Sequence, residues 1–197
     1  MFKERAIVFI DGNNLYNGLK ACYGIDRLEL GGFCKHIIKD RLLMGIYYAD
    51  ANFLQNRGKE NYNKQQEYFA DIKRLKNLRF LKGYYNSKTN PPTEKLADVF
   101  LATNMVDLCH RAQFDIAYLV SGDSDYIPAV DIVIREGKKV MNVYFDNNTR
   151  NSYNLRSHCQ GRFKNITATI AFQYKWTQKT KPEPCGSGDS TSIGSPV

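Results

Sequence analysis

Ala6-Ile7-Val8-Phe9-Ile10-Asp11-Gly12-Asn13-Asn14 decides the fold. Ala6–Ile10 is a short apolar run, rich in β-branched residues, with no polar side to turn toward water. That pattern predicts a central strand of a parallel sheet, covered on both faces. The run stops at Asp11-Gly12, chemistry suited to a strand-to-helix turn with Asn14 as a candidate cap. Runs of the same kind recur at Met44–Tyr48, Phe80–Tyr85, Ile116–Val120 and Val140–Phe145. Between them Asn63–Leu78, Thr93–Arg111 and Tyr126–Glu136 repeat apolar residues every three to four positions, and Gly137 supplies a helix stop. Strands alternating with helices imply right-handed crossovers and helices on both faces. The expected fold is therefore α/β, a three-layer α/β/α sandwich whose central, mainly parallel sheet has about five strands.

Composition bounds the rest. The chain has 197 residues, 43% hydrophobic and 24% charged, which fits one globular domain and excludes disordered, collagen-like and coiled-coil classes. Residues 1–176 are expected to form that domain. From Thr177 onward Ser, Gly and Pro dominate, so 177–197 is expected to be a flexible tail. No apolar run approaches the roughly 18 residues of a membrane span, and the first residues lack a signal-peptide pattern, so a cytoplasmic location away from membranes is expected. The five cysteines are scattered without zinc spacing and read as free thiols. Cys109 and His110, about 100° apart on a helix, read as fillers rather than a catalytic pair.

The net charge is +8, and 51–90 carries nine basic and three acidic residues, so six of those charges lie there. In that stretch Arg57, Lys59, Lys64, Lys73, Arg74, Lys76, Arg79, Lys82 and Lys88 interleave with seven Phe and Tyr residues. Cations that neutralise phosphates and rings that stack on unpaired bases are the two ingredients of single-strand recognition. A solvated helix face with core aromatics is the plainer account of any one of these residues.

Ligands of such sheets bind beyond the carboxyl ends of the strands, and there this chain is acidic. Asp11 follows the first strand, Ser121-Gly122-Asp123-Ser124-Asp125 follows Ile116–Val120, and Asp98 sits near the amino end of the helix between. Converging carboxylates repel one another unless a cation lies among them. Magnesium, a hard ion that takes a few carboxylates, several waters and phosphate oxygens, meets that need. Each turn alone could be mere capping, but two acid-tipped strands and a helix-borne acid in one domain favour a site.

Phe9–Tyr16, Lys95–Val99 and Leu119–Tyr126 together closely resemble the NYN domain family, LabA-like branch, of the PIN-like nucleases. The resemblance covers about residues 5–150 and rests on three motifs in order. It implies a metal-dependent ribonuclease, with catalytic Asp11, Asp98, Asp123 and Asp125, and with Mg²⁺ or Mn²⁺ held by Asp11, Asp98 and Asp123 directly or through water. Asn14 matches a polar residue that would orient phosphate or water. Lys73, Arg74 and Lys76 stand for the basic stretch expected to bind single-stranded or loop RNA, and a homodimer is compatible with the chain. Two departures stand out: Leu96-Ala97 replaces a frequent Gly-Val, and Asn104 occupies a position where the family often has an acid, which weakens a second metal position. A catalytically weak, RNA-binding regulator is the alternative. A haloacid-dehalogenase-type phosphatase ranks last, because position 13 is Asn where that chemistry needs a second acid.

Overall fold

The apolar run around Ile7–Ile10 becomes the middle of strand β1 (Arg5–Asp11), with Val8, Phe9 and Ile10 fully buried. The computed structural model describes residues 3–52, 58–86, 93–145 and 153–178. The expected tail beyond Gln178, together with Arg57, Lys88 and Cys185, lies outside them. In chain order the elements after β1 are α1 (Gly12–Tyr23), α2 (Leu30–Ile38), β2 (Leu42–Ala51), α3 (Lys59–Ile72), β3 (Leu78–Asn86) and β4 (Thr93–Lys95). They continue with α4 (Ala97–His110), β5 (Ile116–Val120), α5 (Ile127–Arg135), β6 (Lys139–Tyr144), α6 (Tyr153–His158), β7 (Phe163–Asn165) and α7 (Ala168–Gln173).

The sheet order is β4-β3-β2-β1-β5-β6-β7. Six strands run parallel, and β4 alone is antiparallel, against β3. The five expected strands are all present. The additional pair, β4 and β7, has three residues each, too few to leave a periodic signal. Residues 93–95, expected in a helix, belong instead to β4, and α4 begins at Ala97.

Alternation along β1 divides the core. Ala6, Val8 and Ile10 face the side built from α1, α2, α3 and α7, where Leu19, Phe33, Tyr68 and Phe69 are buried. Ile7 and Phe9 face the side of α4, α5 and α6, with Leu101, Met105, Val130 and Leu155. Because β1 pairs with β2 on one side and β5 on the other, the chain winds outward in both directions from it. That makes the carboxyl ends of β1 and β5 the switch point of the sheet, the place where ligands of such folds bind.

Four described cysteines carry no disulfide, and three are buried. Cys109 is buried while His110 is exposed, so the two do not form a pair. Among the described residues no helix is long and apolar enough to cross a membrane.

Candidate active site

Asp11 is the last residue of β1 and the N-cap of α1: its Oδ1 accepts the Asn14 backbone N–H at 2.9 Å. The capping residue is thus the acid itself, and Asn14 is left for another task. The Asn14 amide oxygen accepts the Gly122 N–H at 3.0 Å, tying the start of α1 to the loop after β5. In that loop Ser121 donates its hydroxyl to Asp11 Oδ2 at 3.2 Å and accepts the Asp123 N–H at 3.1 Å. Asp123 then caps the single 3-10 turn Ser124–Tyr126 by accepting the Asp125 N–H at 3.0 Å. Tyr126, the last residue of this turn and buried, aims its hydroxyl back at Asp11 Oδ2, 3.3 Å away. One hydrogen-bonded unit therefore joins the ends of β1 and β5, which the sequence separates by more than a hundred residues. Asn142 of β6, also buried, supports it by donating to the Ser121 and Leu119 carbonyls.

The electrostatics are those of unneutralised acid. Burial pushes the Asp11 carboxyl up to about 6, the charges of Asp50 and Asp123 add to the rise, and the bonds from Asn14 and Ser121 oppose it. The Tyr126 phenol is driven far up by burial and by Asp11 and Asp98, so it remains a hydrogen-bond donor. Asp98 lies in the first turn of α4 and is exposed. Leu96, in the left-handed conformation with φ 74°, swings the chain from β4 into that helix. Such a φ costs a non-glycine residue roughly 1–2 kcal/mol, a strain spent where the acid is placed. Asp125, two residues after Asp123, is exposed.

The structure also supplies an acid that the motifs omit. Asp50, 2% exposed, sits near the end of β2. It accepts the Tyr48 hydroxyl at 2.9 Å and the Ala51 N–H at 2.8 Å, and pairs with Arg27 at 3.6 Å. Burial raises it to about 6 against the pull of Arg27. The register sets Asp11 beside Ala49, so Asp50 points to the other sheet face, directly beneath Gly12. A Cβ on Gly12 would fall 2.5 Å from the Tyr48 hydroxyl and 2.6 Å from Asp50 Oδ2, so glycine alone lets α1 start this low. An acid two residues behind Met44–Tyr48 is the same kind of signal that drew attention to Asp11 and Asp123.

Two expectations change. Among the described residues no three His, Cys, Asp or Glu side chains gather closely enough to hold one ion between them. Direct ligation by Asp11, Asp98 and Asp123 together is therefore not what the side chains present; sharing through water remains. The donor set, all carboxylate and amide oxygen with Asp11 destabilised by its own charge, suits Mg²⁺ or Mn²⁺ bound with much of its water retained. Secondly, Lys73, Arg74 and Lys76 lie in the turn entering β3, at the amino end of the sheet, opposite the acids. Lys73 Nζ stands 4.5 Å over the Phe80 ring and Arg74 pairs with Asp71 at 3.4 Å. The cations of this stretch that do reach the carboxyl end include Lys82, level with Asp50, joined there by Lys95 at the entry to α4. Asn104 donates its amide to the Phe100 carbonyl of its own helix at 2.8 Å.

Comparison with known proteins places this geometry. The model of the NYN domain matches residues 5–167. No curated protein matches the chain in sequence. The crystal structure of a protein of unknown function from Vibrio parahaemolyticus superposes with a TM-score of 0.64 at 19% identity, over 84% of this chain and 94% of that one. At that identity the likeness is one of fold.

Proposed function

The chain belongs to the NYN domain family of the PIN-like nuclease superfamily, and from that premise we propose that it is a metal-dependent ribonuclease acting on single-stranded or loop RNA. The observation that carries the proposal is the unit linking Asp11, Asn14, Ser121, Asp123 and Tyr126 across the switch point, with Asp11 held near 6 by burial and like charge. NYN nucleases typically depend on a divalent metal.

Asp11 and Asp123 are the residues that would hold the ion, with Asp98 and Asp125 contributing through water. Bound there, Mg²⁺ or Mn²⁺ supplies positive charge to the scissile phosphate and acidifies a water. Asp125 orients the attacking water. Asn14 spends its oxygen on Gly122, which leaves its amide N–H groups for a phosphate oxygen. Tyr126 and Ser121 fix the Asp11 carboxylate by donating to one oxygen. Lys82 and Lys95 carry the flanking strand. Water adds to phosphorus and gives up a proton while the P–O3′ bond breaks and the departing 3′-oxygen takes up a proton, giving 5′-phosphate and 3′-hydroxyl ends.

The test is cleavage of an end-labelled single-stranded RNA with Mn²⁺, Mg²⁺ or EDTA, by wild type and by Asp123→Asn. Cutting that needs metal and is lost in the variant supports the reading. A second reading, an RNA-binding regulator without useful catalysis, is favoured by the wide spacing of the acids and by Asn104, turned back on its own helix. RNA binding by wild type without metal-dependent cutting would select it.

A further inference from the structure

On the sheet face that carries α1 and α3, a cavity of about 220 Å³ is lined by Tyr16, Arg27, Lys64, Gln65, Lys175 and Trp176, with Asp26 among its polar neighbours. It is a built site. The Arg27 guanidinium, 6% exposed, lies 4.5 Å from the Tyr16 ring centroid and is anchored by Asp50. The chain around Trp176 is pinned to the loop after α1, since Trp176 N–H bonds the Arg27 carbonyl at 2.9 Å and Glu29 N–H bonds the Tyr174 carbonyl at 2.6 Å. The indole is oriented by its bond to Asp71 at 3.2 Å and an edge contact with Tyr68. Both Tyr16 and Trp176 remain half-buried, with ring surface toward the cavity.

One wall of the cavity reaches the carboxyl end of β2, where Gln65 holds the Ala51 carbonyl. Tyr16 lies five residues beyond Asp11 on the helix that Asp11 caps, about 7.5 Å along its axis. Of the charges around the cavity, Asp26 pairs with Lys20, Glu60 with Lys64 and Asp50 with Arg27, whereas Lys175 has no ion pair among the described residues. Glu67, which accepts from the cavity-lining Gln178, offsets Lys175 in the sum, so what the cavity offers a phosphate is the position of the Lys175 ammonium and not a net excess of positive charge. Ring faces for a base and cations for a phosphate are what single-strand binding uses. The volume falls below the roughly 300–1,000 Å³ of pockets for drug-sized ligands, which suits one base with its phosphate outside, toward Lys175.

We propose that this cavity receives one unpaired nucleotide of the RNA strand, its base against Tyr16 and Trp176 and its phosphate toward Lys175. The inference rests on the ribonuclease reading and adds a subsite to it: the strand crosses the amino end of α1 between the acids and this cavity, so a base already paired in a duplex is rejected.

Trp176 is the sole tryptophan of the chain, which makes its emission a direct report of the cavity. The experiment titrates the whole protein in EDTA, where nothing is cut, with a single-stranded octaribonucleotide, its duplex and a mononucleotide, while labelled-RNA anisotropy gives affinity independently. Saturable change in Trp176 emission with the single strand and a much weaker response to the duplex are expected. Tyr16→Ala should weaken binding roughly tenfold, within the range seen when a base loses an aromatic partner. Tyr16→Phe, which keeps the ring, should restore affinity, and Lys175→Gln should weaken binding without disturbing the core. Unchanged emission on saturation, equal affinity of Tyr16→Ala and Tyr16→Phe, or a mononucleotide bound as tightly as the octamer would overturn the proposal. Because no step is catalytic, failure here leaves the metal-dependent cleavage test standing, and failure of cleavage leaves this binding result standing.

Discussion

Replacing Asp11 by Asn should make the protein more stable above neutral pH while removing cleavage. Burial on folding, with the charges of Asp50 and Asp123 added to it, makes this carboxyl titrate near 6 rather than at its ordinary 3.8. At 1.36 kcal/mol per pH unit the difference is about 3 kcal/mol. The sign follows from linkage. Between 3.8 and 6 the native state holds a proton that the unfolded chain has released, so stability falls as pH rises through that window, and the full cost is present above 6. Below 3.8 both states are protonated and the cost vanishes. In Asp11→Asn the amide oxygen still accepts the Asn14 N–H, and the Ser121 and Tyr126 hydroxyls can rotate to accept from the new amide. Urea denaturation in EDTA from pH 4 to 8 should therefore show the variant ahead of wild type by about 3 kcal/mol at pH 8, shrinking toward zero at pH 4. In a chain of this length that corresponds to a melting shift of roughly 6–12 °C. Manganese should recover much of the gap in wild type alone, about 2.7 kcal/mol at a hundred times its dissociation constant. A variant less stable than wild type at pH 8, or a gap that ignores pH, would refute the assignment of an uncompensated charge at Asp11.

Gly12→Ala should cost about 1–3 kcal/mol, the usual range for overpacking, because its methyl meets Tyr48 and Asp50 inside 3 Å; denaturation measures it, and a neutral result would mean that α1 can shift without loss. Neutralising Lys73, Arg74 and Lys76 together should leave cleavage of short RNAs unchanged, whereas Lys82→Gln and Lys95→Gln should each weaken binding and reduce the salt slope by about one; the reverse pattern would place the strand at the other end of the sheet. Tyr126→Phe removes a donor from Asp11, so the acid limb of the cleavage profile, rising as Asp11 ionises near 6, should move to higher pH; an unmoved limb would assign it to another group.

The interior of the fold was legible because continuous apolar runs have one explanation in an α/β chain. Ile116–Val120 became β5 without change, and the remaining runs grew by one to three residues at an end or moved by one. The edges were not legible: β4 and β7 pair three residues each, and their existence depends on partners rather than pattern. For the site, order along the chain put Asp11 and Asp123 behind two strands of the sheet; that those strands, β1 and β5, are neighbours is a feature of the fold. It could not tell that Asn14 would be committed to Gly122, or that Asp11 would be its own helix's cap. The basic stretch divides between the two ends of the sheet for a geometric reason. A helix and the strand after it run in opposite directions, so residues close in sequence occupy opposite ends of the sheet: Lys73 and Lys76 lie at one, Lys82 at the other. Asp50 was readable by the rule already applied to Asp11, an acid behind an apolar run.

Diffraction from a crystal soaked in Mn²⁺, recorded at the manganese edge, tests the central claim most directly. The account predicts anomalous density at the carboxyl ends of β1 and β5, against Asp11 and Asp123, and its loss in Asp11→Asn crystals soaked alike. Density confined to other carboxylates, or none at saturating manganese while the same protein cuts RNA in Mn²⁺, would contradict the placing of the chemistry at this rim.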